Sequence, residues 1–273
     1  MKHMQSYRRM VGGVIFSTAF LLSILIQAPT PARAATFTFE VTTPADGHDT
    51  TLGDGLCYGD MGSSGYGCSL RAAIEEATAQ QLRDPSQTIY IGIPDLSGVG
   101  MCCELNRGQL EIVAGTHIVI QGADKDVVNI TLGNIFNPNP NGAVESRIFD
   151  IAAGGTLELY GVTISGGKAG IGYAGHWHGG GIHNHGTLIL DISAVTGNAA
   201  AAGWGGGGIT NAAGARADVS YTTISNNVAP ANGGGIENYG TLTASGVTVI
   251  DNTASNGSNI FCGETHNLVN LPC

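Results

Sequence analysis

The amino-acid sequence predicts an all-β solenoid, in which coils of three short strands stack on one another, with one helix closing the N-terminal end. The first observation is a repeat: Gly-Gly-Gly-Ile-x-Asn or a close variant occurs at residues 179–184, 206–211 and 233–238. Its constant period, about 27 residues, is typical of stacked repeats. The second observation is composition. Glycine supplies 43 of 273 residues and charged residues only 12%, which leaves few helix formers and many positions for tight turns.

Residues 1–34 have the three parts of a secretory signal peptide. Lys2, Arg8 and Arg9 come first, an apolar run covers residues 11–28, and a small-residue site follows at residues 32–34. This order predicts export to the cell surface or the medium. The alternative is an uncleaved anchor, because the run is about as long as the ~17–25 residues that a membrane span needs. We expect the chain to meet a membrane only through this segment.

The net charge of the remaining chain argues against two kinds of partner, nucleic acids and anionic membrane surfaces. Four of the eleven basic residues and none of the 21 acidic residues lie in the predicted leader, so the rest carries 7 minus 21, or −14. So acidic a chain is repelled by phosphate backbones and anionic bilayers. We therefore expect no nucleic acid partner.

Residues 35–109 are predicted to form an N-terminal cap region. Apolar and polar residues alternate over 36–43, which predicts a strand. A turn-rich loop follows, and residues 69–81 form the one predicted helix, with Glu75 and Glu76 on the face opposite its apolar residues. The loop carries four aspartates that offer either calcium ligands or ordinary turn residues: Asp46, Asp49, Asp54 and Asp60.

Two segments of this cap region resemble a known family. The strand Phe-Thr-Phe-Glu-Val-Thr-Thr at 37–43, an Asp/Gly-rich loop and Cys-Ser-Leu-Arg-Ala-Ala-Ile at 68–74 follow one another. This order resembles the start of the bacterial CSLREA-domain proteins. The chain departs from the motif at Ala72, where that family has glutamate.

Residues 110–260 are predicted to form the stacked coils. Short strands are indicated at 87–94, 110–112, 117–122 and 127–132, with loops at 95–109 and 134–142. From Arg147 onward each coil contains the Gly-Gly-Gly-Ile-x-Asn strand, a Gly-Thr-Leu-like strand and a third apolar strand. Ile182, Leu188 and Val195 are expected to point inward. Three asparagines that share one repeat position are expected to form an inward amide ladder: Asn184, Asn211 and Asn238.

The repeat also resembles the coils of polymorphic outer-membrane-protein-type and pectin-lyase-like proteins. The resemblance covers residues 147–260. It implies a single-stranded right-handed parallel β-helix with about 27 residues per coil. Because this fold carries adhesins, lyases, hydrolases and inert surface proteins, the resemblance implies the fold and not the function.

Six cysteines in an exported chain predict disulfides. We expect the short-range pairs Cys57–Cys68 and Cys262–Cys273, the second within a C-terminal cap loop at residues 261–273. Cys102 and Cys103 are adjacent, so they either form a vicinal ring or stay free. No pair has the Cys-x-x-Cys spacing that zinc sites favour.

One cluster of reactive side chains interrupts the repeat. Four of the eight histidines lie close together in the sequence, and the next coils do not repeat them. The cluster permits three interpretations: solvated surface residues, a site for zinc or another divalent metal, or a catalytic site. Its members are His176, His178, His183 and His185.

Three residues beside these histidines form a candidate ligand site. Trp177 and Trp204 are the only tryptophans and lie one repeat period apart, so their rings either pack on each other or face outward as a sugar platform. Glu237 occupies the repeat position of His183 two coils further along. No stacked pair of acids of the kind that glycoside hydrolysis needs is evident in the repeat.

Two functions follow as expectations. The first is a secreted or cell-surface β-helix that acts as a non-catalytic structural or adhesive module. The alternative is a carbohydrate-active enzyme, a polysaccharide lyase or glycoside hydrolase, or a glycan binder that uses the His/Trp face. A polysaccharide or cell-surface glycan is the partner expected in both cases.

Overall fold

The predicted solenoid is confirmed at the level of the fold. A computed structural model describes residues 38–60, 66–96, 98, 102–133, 146–170, 177–263 and 267–269. In it, parallel strands stack into about five turns of an all-β solenoid, and the described residues belong to one compact unit. The predicted signal peptide lies outside the described residues.

Three parallel sheets form the walls, and we name them A, B and C. The strands of sheet A, in the order in which they pair, are β1 (Thr38–Glu40), β5 (Ile89–Ile93), β8 (His117–Gly122), β11 (Thr156–Tyr160), β14 (Thr187–Asp191), β17 (Arg216–Ser220), β21 (Thr241–Ser245) and β25 (Asn267–Val269). Those of sheet B are β7 (Leu110–Ile112), β10 (Phe149–Ile151), β13 (Ile182–Asn184), β16 (Ile209–Asn211), β20 (Ile236–Asn238) and β24 (Ile260–Cys262). Those of sheet C are β6 (Glu104–Leu105), β9 (Asn129–Leu132), β12 (Thr163–Ser165), β15 (Ala194–Thr196), β18 (Thr223–Ser225) and β22 (Thr248–Ile250).

Two smaller sheets lie outside these walls. The strands β19 (Val228–Asn232) and β23 (Thr253–Asn256) pair in parallel, and β2 (His48–Asp49), β3 (Gly59–Asp60) and β4 (Tyr66–Gly67) form an antiparallel sheet. The strands β1 and β5 of the predicted cap region belong to sheet A, the same sheet as the coils that follow. The predicted loop at 95–109 contains β6, which the sequence pattern did not indicate.

The coil length varies more than the repeat suggests. Along sheet B, the step from Phe149 to its paired position Ile182 is longer than the two equal steps from Ile182 to Ile209 and from Ile209 to Ile236. The average is about 29 residues per turn. The constant period seen in the sequence is therefore a property of two coils only. In these two, unequal turns between sheets C and B are offset by unequal turns between sheets B and A, and the turn that leads to Ile182 is longer than either.

The core runs along the inside of the three sheets. Ile182, Leu188 and Val195 are fully buried, as their alternation with polar residues predicts, and each pairs with an apolar residue of the next coil. Stacking of like positions removes apolar surface from water, and each Å² of apolar surface buried stabilises the fold by roughly 25 cal/mol. This burial, repeated coil after coil, is the main force that holds the solenoid together.

Two ladders of asparagine amides accompany the apolar core. In the predicted ladder, the amide nitrogen of Asn184 donates to Asn211 at 2.8 Å, and that of Asn211 donates to Asn238 at 2.7 Å. A second ladder, which the sequence did not lead us to expect, follows sheet C and links Asn198 to Asn227 and Asn227 to Asn252, each at 3.0 Å. Both ladders satisfy buried amides with their own copies in the next coil.

The only helix in the described part of the chain, α1, spans Leu70–Arg83, close to the predicted 69–81. Ser69 is its N-cap and accepts from the backbone N–H of Ala72 at 3.0 Å. The apolar face of α1 packs against β5, β7 and β8 and joins the core. No described helix has the length and apolar character that a membrane span requires.

The face of α1 opposite the core is also covered, which the sequence did not indicate. Glu76 is fully buried beneath the Asp/Gly-rich loop. Its carboxylate accepts hydrogen bonds from the backbone N–H groups of Gly53 and Gly55 in this loop, which compensate for the loss of water. Glu75 binds the imidazole of His48 and the backbone N–H of Asp49 in the same loop. The two glutamates therefore anchor this loop on the helix.

A disulfide joins Cys57 and Cys68 with an S–S distance of 2.02 Å. Cys102 and Cys103 are bonded to each other as a vicinal disulfide. Cys262 is also disulfide-bonded, and Cys273, its expected partner, lies outside the described residues.

We predict that replacing both Cys57 and Cys68 by serine lowers the free energy of unfolding by roughly 2–3 kcal/mol. The bond closes a loop with a sequence separation of 11 and so restricts the conformational entropy of the unfolded chain. Without the bond the unfolded chain regains this entropy and becomes more stable relative to the folded state. Urea unfolding without reductant measures the difference. A loss below about 0.5 kcal/mol would show that the loop is held by its hydrogen bonds to α1 instead.

Candidate functional site

The candidate site lies on the outer face of sheet B. Asp150, His183, Thr210 and Glu237 occupy one row across β10, β13, β16 and β20, because each is the central residue of its strand. The alternation of each strand points the neighbouring isoleucines and asparagines inward and this row outward. The predicted register between His183 and Glu237 is therefore correct.

Glu237 is the centre of a hydrogen-bonded network rather than an exposed acid. Only 1% of its side chain is accessible to solvent. Nδ1 of His178 lies 2.9 Å from its Oε2, and the hydroxyl of Tyr239 donates to its Oε1 at 3.1 Å. The hydroxyl of Thr210 and the amide of Asn232 lie at 3.3 and 3.4 Å. A buried carboxylate requires such partners, and here four side chains supply them.

The turn between sheets C and B buries this network. It folds back over the outer face of sheet B, and Gly205 lies so close to Glu237 that a Cβ on this glycine would clash with Oε1. Gly205, the residue directly before the Gly-Gly-Gly repeat of this coil, therefore has a local role that coil stacking does not explain. It lets the backbone lie against an outward carboxylate.

A second imidazole–carboxylate pair lies at the preceding end of the same row. Nδ1 of His183 is 3.2 Å from Oδ1 of Asp150, and this oxygen also accepts from Nη1 of Arg147 at 2.9 Å. Arg147 is fully buried, and its Nε and Nη2 have no hydrogen-bond partner in the described structure. Burial lowers the pKa of Arg147, and the neighbouring Asp150 opposes this shift.

His183 is neutral near pH 7. Burial lowers its pKa from 6.5 to about 4, and the positive charge of Arg147 adds to the shift, whereas the hydrogen bond to Asp150 opposes it. The imidazole of His185 is exposed and packs edge-on against His183, with ring centroids 4.1 Å apart. Of the histidines that the structure describes in this cluster, His183 is the one enclosed by the fold.

We predict that His183 makes the protein less stable as the pH falls from about 6.5 to about 4. In this range the unfolded chain binds a proton at this residue and the folded chain does not, so acid favours unfolding. A shift from 6.5 to about 4 corresponds to roughly 3 kcal/mol at ~1.4 kcal/mol per unit. Urea unfolding at pH 7.5 and pH 5 measures the effect.

The comparison variants for this pH dependence are His183→Asn and His185→Asn. His183→Asn is expected to flatten the dependence between these pH values. His185→Asn is expected to keep it, because it leaves the buried ring in place. An equal slope in the wild type and His183→Asn would show that His183 is not the titrating group.

The two tryptophans pack against each other. Their ring centroids are 4.9 Å apart, and His178 contacts Trp204 edge-on at 4.5 Å. Both rings are half-buried, and the indole N–H of Trp177 is buried without a partner among the described residues. This arrangement corresponds to the packing interpretation, in which one ring supports the other between coils.

The described residues contain no group of three or more His, Cys, Asp or Glu side chains arranged to hold a metal ion. The rings of His178 and His183 are stacked 6.0 Å apart, and His176 lies outside the described residues. In the Asp/Gly-rich loop, for which calcium ligands and ordinary turn residues were both open, Asp46 is bound by Arg71 through contacts of 2.6 and 3.1 Å. Asp54 bonds within its own turn, to the backbone N–H of Leu56.

Asp150 and Arg147 are the site residues that the sequence did not single out. The only signal was the pattern Phe-Asp-Ile at 149–151, which matches Ile-His-Asn at 182–184 in its alternation. The step between these two strands is longer than the repeat period, so Asp150 does not align with His183 when the sequence is divided into equal repeats.

The fold and the site together define a parallel β-solenoid protein with an enclosed His–carboxylate network on the outer face of sheet B. Comparison of the chain with protein families, with characterised proteins and with solved structures finds no match.

Proposed function

We propose that the chain is an exported right-handed parallel β-helix that acts as a non-catalytic structural or adhesive module. The leader-like segment at 1–34 and the disulfides support export to the cell surface or the medium. The likeness of the repeat to pectin-lyase-like coils supports the right-handed form. Cell-surface glycans or polysaccharides are its proposed partners.

One observation carries the non-catalytic assignment. The polar groups of the candidate site bind one another, and Glu237, the acid in their midst, is only 1% exposed. A general acid or base must come within hydrogen-bond reach of the substrate, about 2.6–3.2 Å. Glu237 is covered by His178, Tyr239 and the turn at Gly205. The network therefore suits the locking of a turn onto sheet B better than it suits turnover.

We also propose that α1 is the cap of the N-terminal end. An open solenoid end presents unpaired strands and apolar core to water, so it aggregates unless it is covered. Leu70, Ile74 and Ala77 are buried in the same core as the first strands. The CSLREA-like motif, on this view, is a capping motif.

A polysaccharide screen tests the assignment. The purified protein is incubated with neutral polysaccharides, polygalacturonate and alginate, and new reducing ends and unsaturated uronides are measured. We expect no turnover, together with retention on at least one immobilised glycan or cell-wall preparation. Turnover that His183→Ala or His178→Ala abolishes would overturn the assignment.

The alternative is a carbohydrate-active enzyme or a glycan binder on the His/Trp face. The observation that favours it is the presence of two imidazole–carboxylate pairs whose rings, those of His178 and His183, are 6.0 Å apart. Such pairs orient an imidazole for proton transfer. A glycan that binds here would change the fluorescence of Trp177 and Trp204, the only tryptophans, which separates this site from any other.

A further inference from the structure

The outer face of sheet A carries a groove that is separate from the candidate site on sheet B. Two depressions, of about 460 and 310 Å³, lie side by side and share the wall formed by Tyr90, Gln121 and residues 122–123. They extend from Glu40 on β1 to Glu158 and Tyr160 on β11. With strands ~4.8 Å apart, these four strands cover about 14 Å along the solenoid axis.

A gap in a row of side chains creates the smaller depression. Glu40, Gly92, Gln121 and Tyr160 occupy equal positions on β1, β5, β8 and β11. Gly92 has no side chain, so the face is open between Glu40 and Gln121. The nearest atom to a Cβ built on Gly92 would be 3.9 Å away, which is ordinary contact. Packing therefore does not require a glycine here.

Tyr90 stands beside this gap as a platform. Its side chain is 41% exposed, although it comes from a strand inside the sheet. A tyrosine ring offers an apolar face for the C–H groups of a ligand and a hydroxyl for hydrogen bonds. Exposed Ile192 adds apolar surface at the far end of the groove.

The polar groups on the other side of Tyr90 are already oriented. Glu158 accepts from the hydroxyl of Tyr160 and contacts Nε2 of His117, both at 2.5 Å. Burial together with the negative charge of Glu158 raises the pKa of Tyr160 to about 12, so this hydroxyl stays protonated. Fixed donors and acceptors beside an aromatic ring give a site directional recognition of hydroxyl groups.

The charge of the groove excludes acidic ligands. Glu40, Glu158 and Asp124 line it, and the only lysine in the lining, Lys125, is paired with Asp126 at 2.6 Å. A polyuronate or a sulfated polymer would meet these carboxylates without a free cation from the lining. An elongated, uncharged ligand rich in hydroxyl groups does not meet this repulsion.

We propose that this groove of sheet A binds an uncharged oligosaccharide, with Tyr90 as the stacking platform and Glu158 and Tyr160 as hydroxyl partners. The inference rests on the proposed adhesive function and supplies its surface and ligand class. It places the glycan on sheet A, away from the His/Trp face of sheet B.

Calorimetric titration of the full secreted chain with short neutral gluco-, xylo- and manno-oligosaccharides of increasing length tests this assignment. We expect at least one series to bind, with affinity that rises with length until the groove is filled. Tyr90→Ala is expected to weaken binding about tenfold. Tyr58→Ala is the matched control, because this tyrosine is 47% exposed and lines neither depression.

A second variant, Gly92→Ile, fills the gap. We expect it to abolish binding without loss of stability, because the position is open and a β-branched residue suits a strand. Binding of polygalacturonate or alginate alone would overturn the proposal, as would neutral-glycan binding that Tyr90→Ala and Gly92→Ile leave unchanged. Binding that changes tryptophan fluorescence would place the ligand on sheet B, which overturns the sheet A site and leaves the adhesive function standing. Absence of binding to every neutral glycan and to immobilised cell-wall material would overturn both the sheet A site and the adhesive form of the proposed function.

Discussion

Replacing Asn211 by alanine is expected to lower the free energy of unfolding by about 3–5 kcal/mol. Asn211 is fully buried and is the middle residue of the ladder that begins at Asn184 and ends at Asn238. Its oxygen accepts from Asn184, and its nitrogen donates to Asn238 and to the backbone oxygen of Thr241. The change removes three hydrogen bonds between buried groups, at about 1 kcal/mol each, and the missing side chain leaves a small cavity. Chemical denaturation of the variant and the wild type measures the loss.

Asn256→Ala is the matched control for this experiment. Asn256 is exposed, and its amide makes one long contact of 3.4 Å with Asn232. Its replacement is expected to change stability by less than about 0.5 kcal/mol. If Asn211→Ala costs no more than this control, the amide ladder contributes nothing net, and apolar stacking alone holds the coils in register.

Much of the solenoid was predictable because each coil is constrained in the same way. Ile182 and Asn184 lie on the inside of the sheet, where the next coil must present a partner of the same kind. The same constraint sets the register of Glu237 against His183. It does not act on the turn between sheets C and B, so coil length varies and Asp150 was not recognised as part of the row.

The burial of the candidate site was not predictable from the repeat. An outward position on a solenoid strand is ordinarily exposed, yet Glu237 is enclosed because a turn from another coil lies on it at Gly205. Nothing in the sequence connected Tyr90 with Gly92 and Tyr160 either. Those residues line one groove only because the long segments of chain between β5, β8 and β11 bring these three strands side by side.

The contacts of Arg71, a residue of the CSLREA-like motif, could not be predicted from the sequence either. The residue pattern predicted the helix and the strand before it, and the resemblance to this motif did not say what Arg71 does. The guanidinium of Arg71 binds the carboxylate of Asp46 and the backbone oxygens of Gly108 and Gln109. Asp46 in turn accepts from the backbone N–H of Asn106. This one ion pair joins the helix, the Asp/Gly-rich loop and the segment that leads into β7.

Arg71→Met is accordingly expected to destabilise the protein by about 3–5 kcal/mol. The change removes one partner of a buried ion pair. It leaves Asp46 with backbone N–H donors but no cation, and it takes the Arg71 donor from the oxygens of Gly108 and Gln109. If α1 caps the solenoid, the variant should also expose the first coil and aggregate on heating. Denaturation and light scattering on warming measure the two effects.

Arg107→Met is the control that separates the ion pair from general loss of positive charge. Arg107 is an exposed arginine in the segment that Arg71 anchors, so its replacement should change stability by less than about 0.5 kcal/mol. Loss of stability without aggregation in Arg71→Met would mean that α1 is needed to fold the loop but not to cover the strands. Equal stability of the two variants would show that the apolar contacts of Leu70, Ile74 and Ala77 hold α1 on the solenoid without the ion pair.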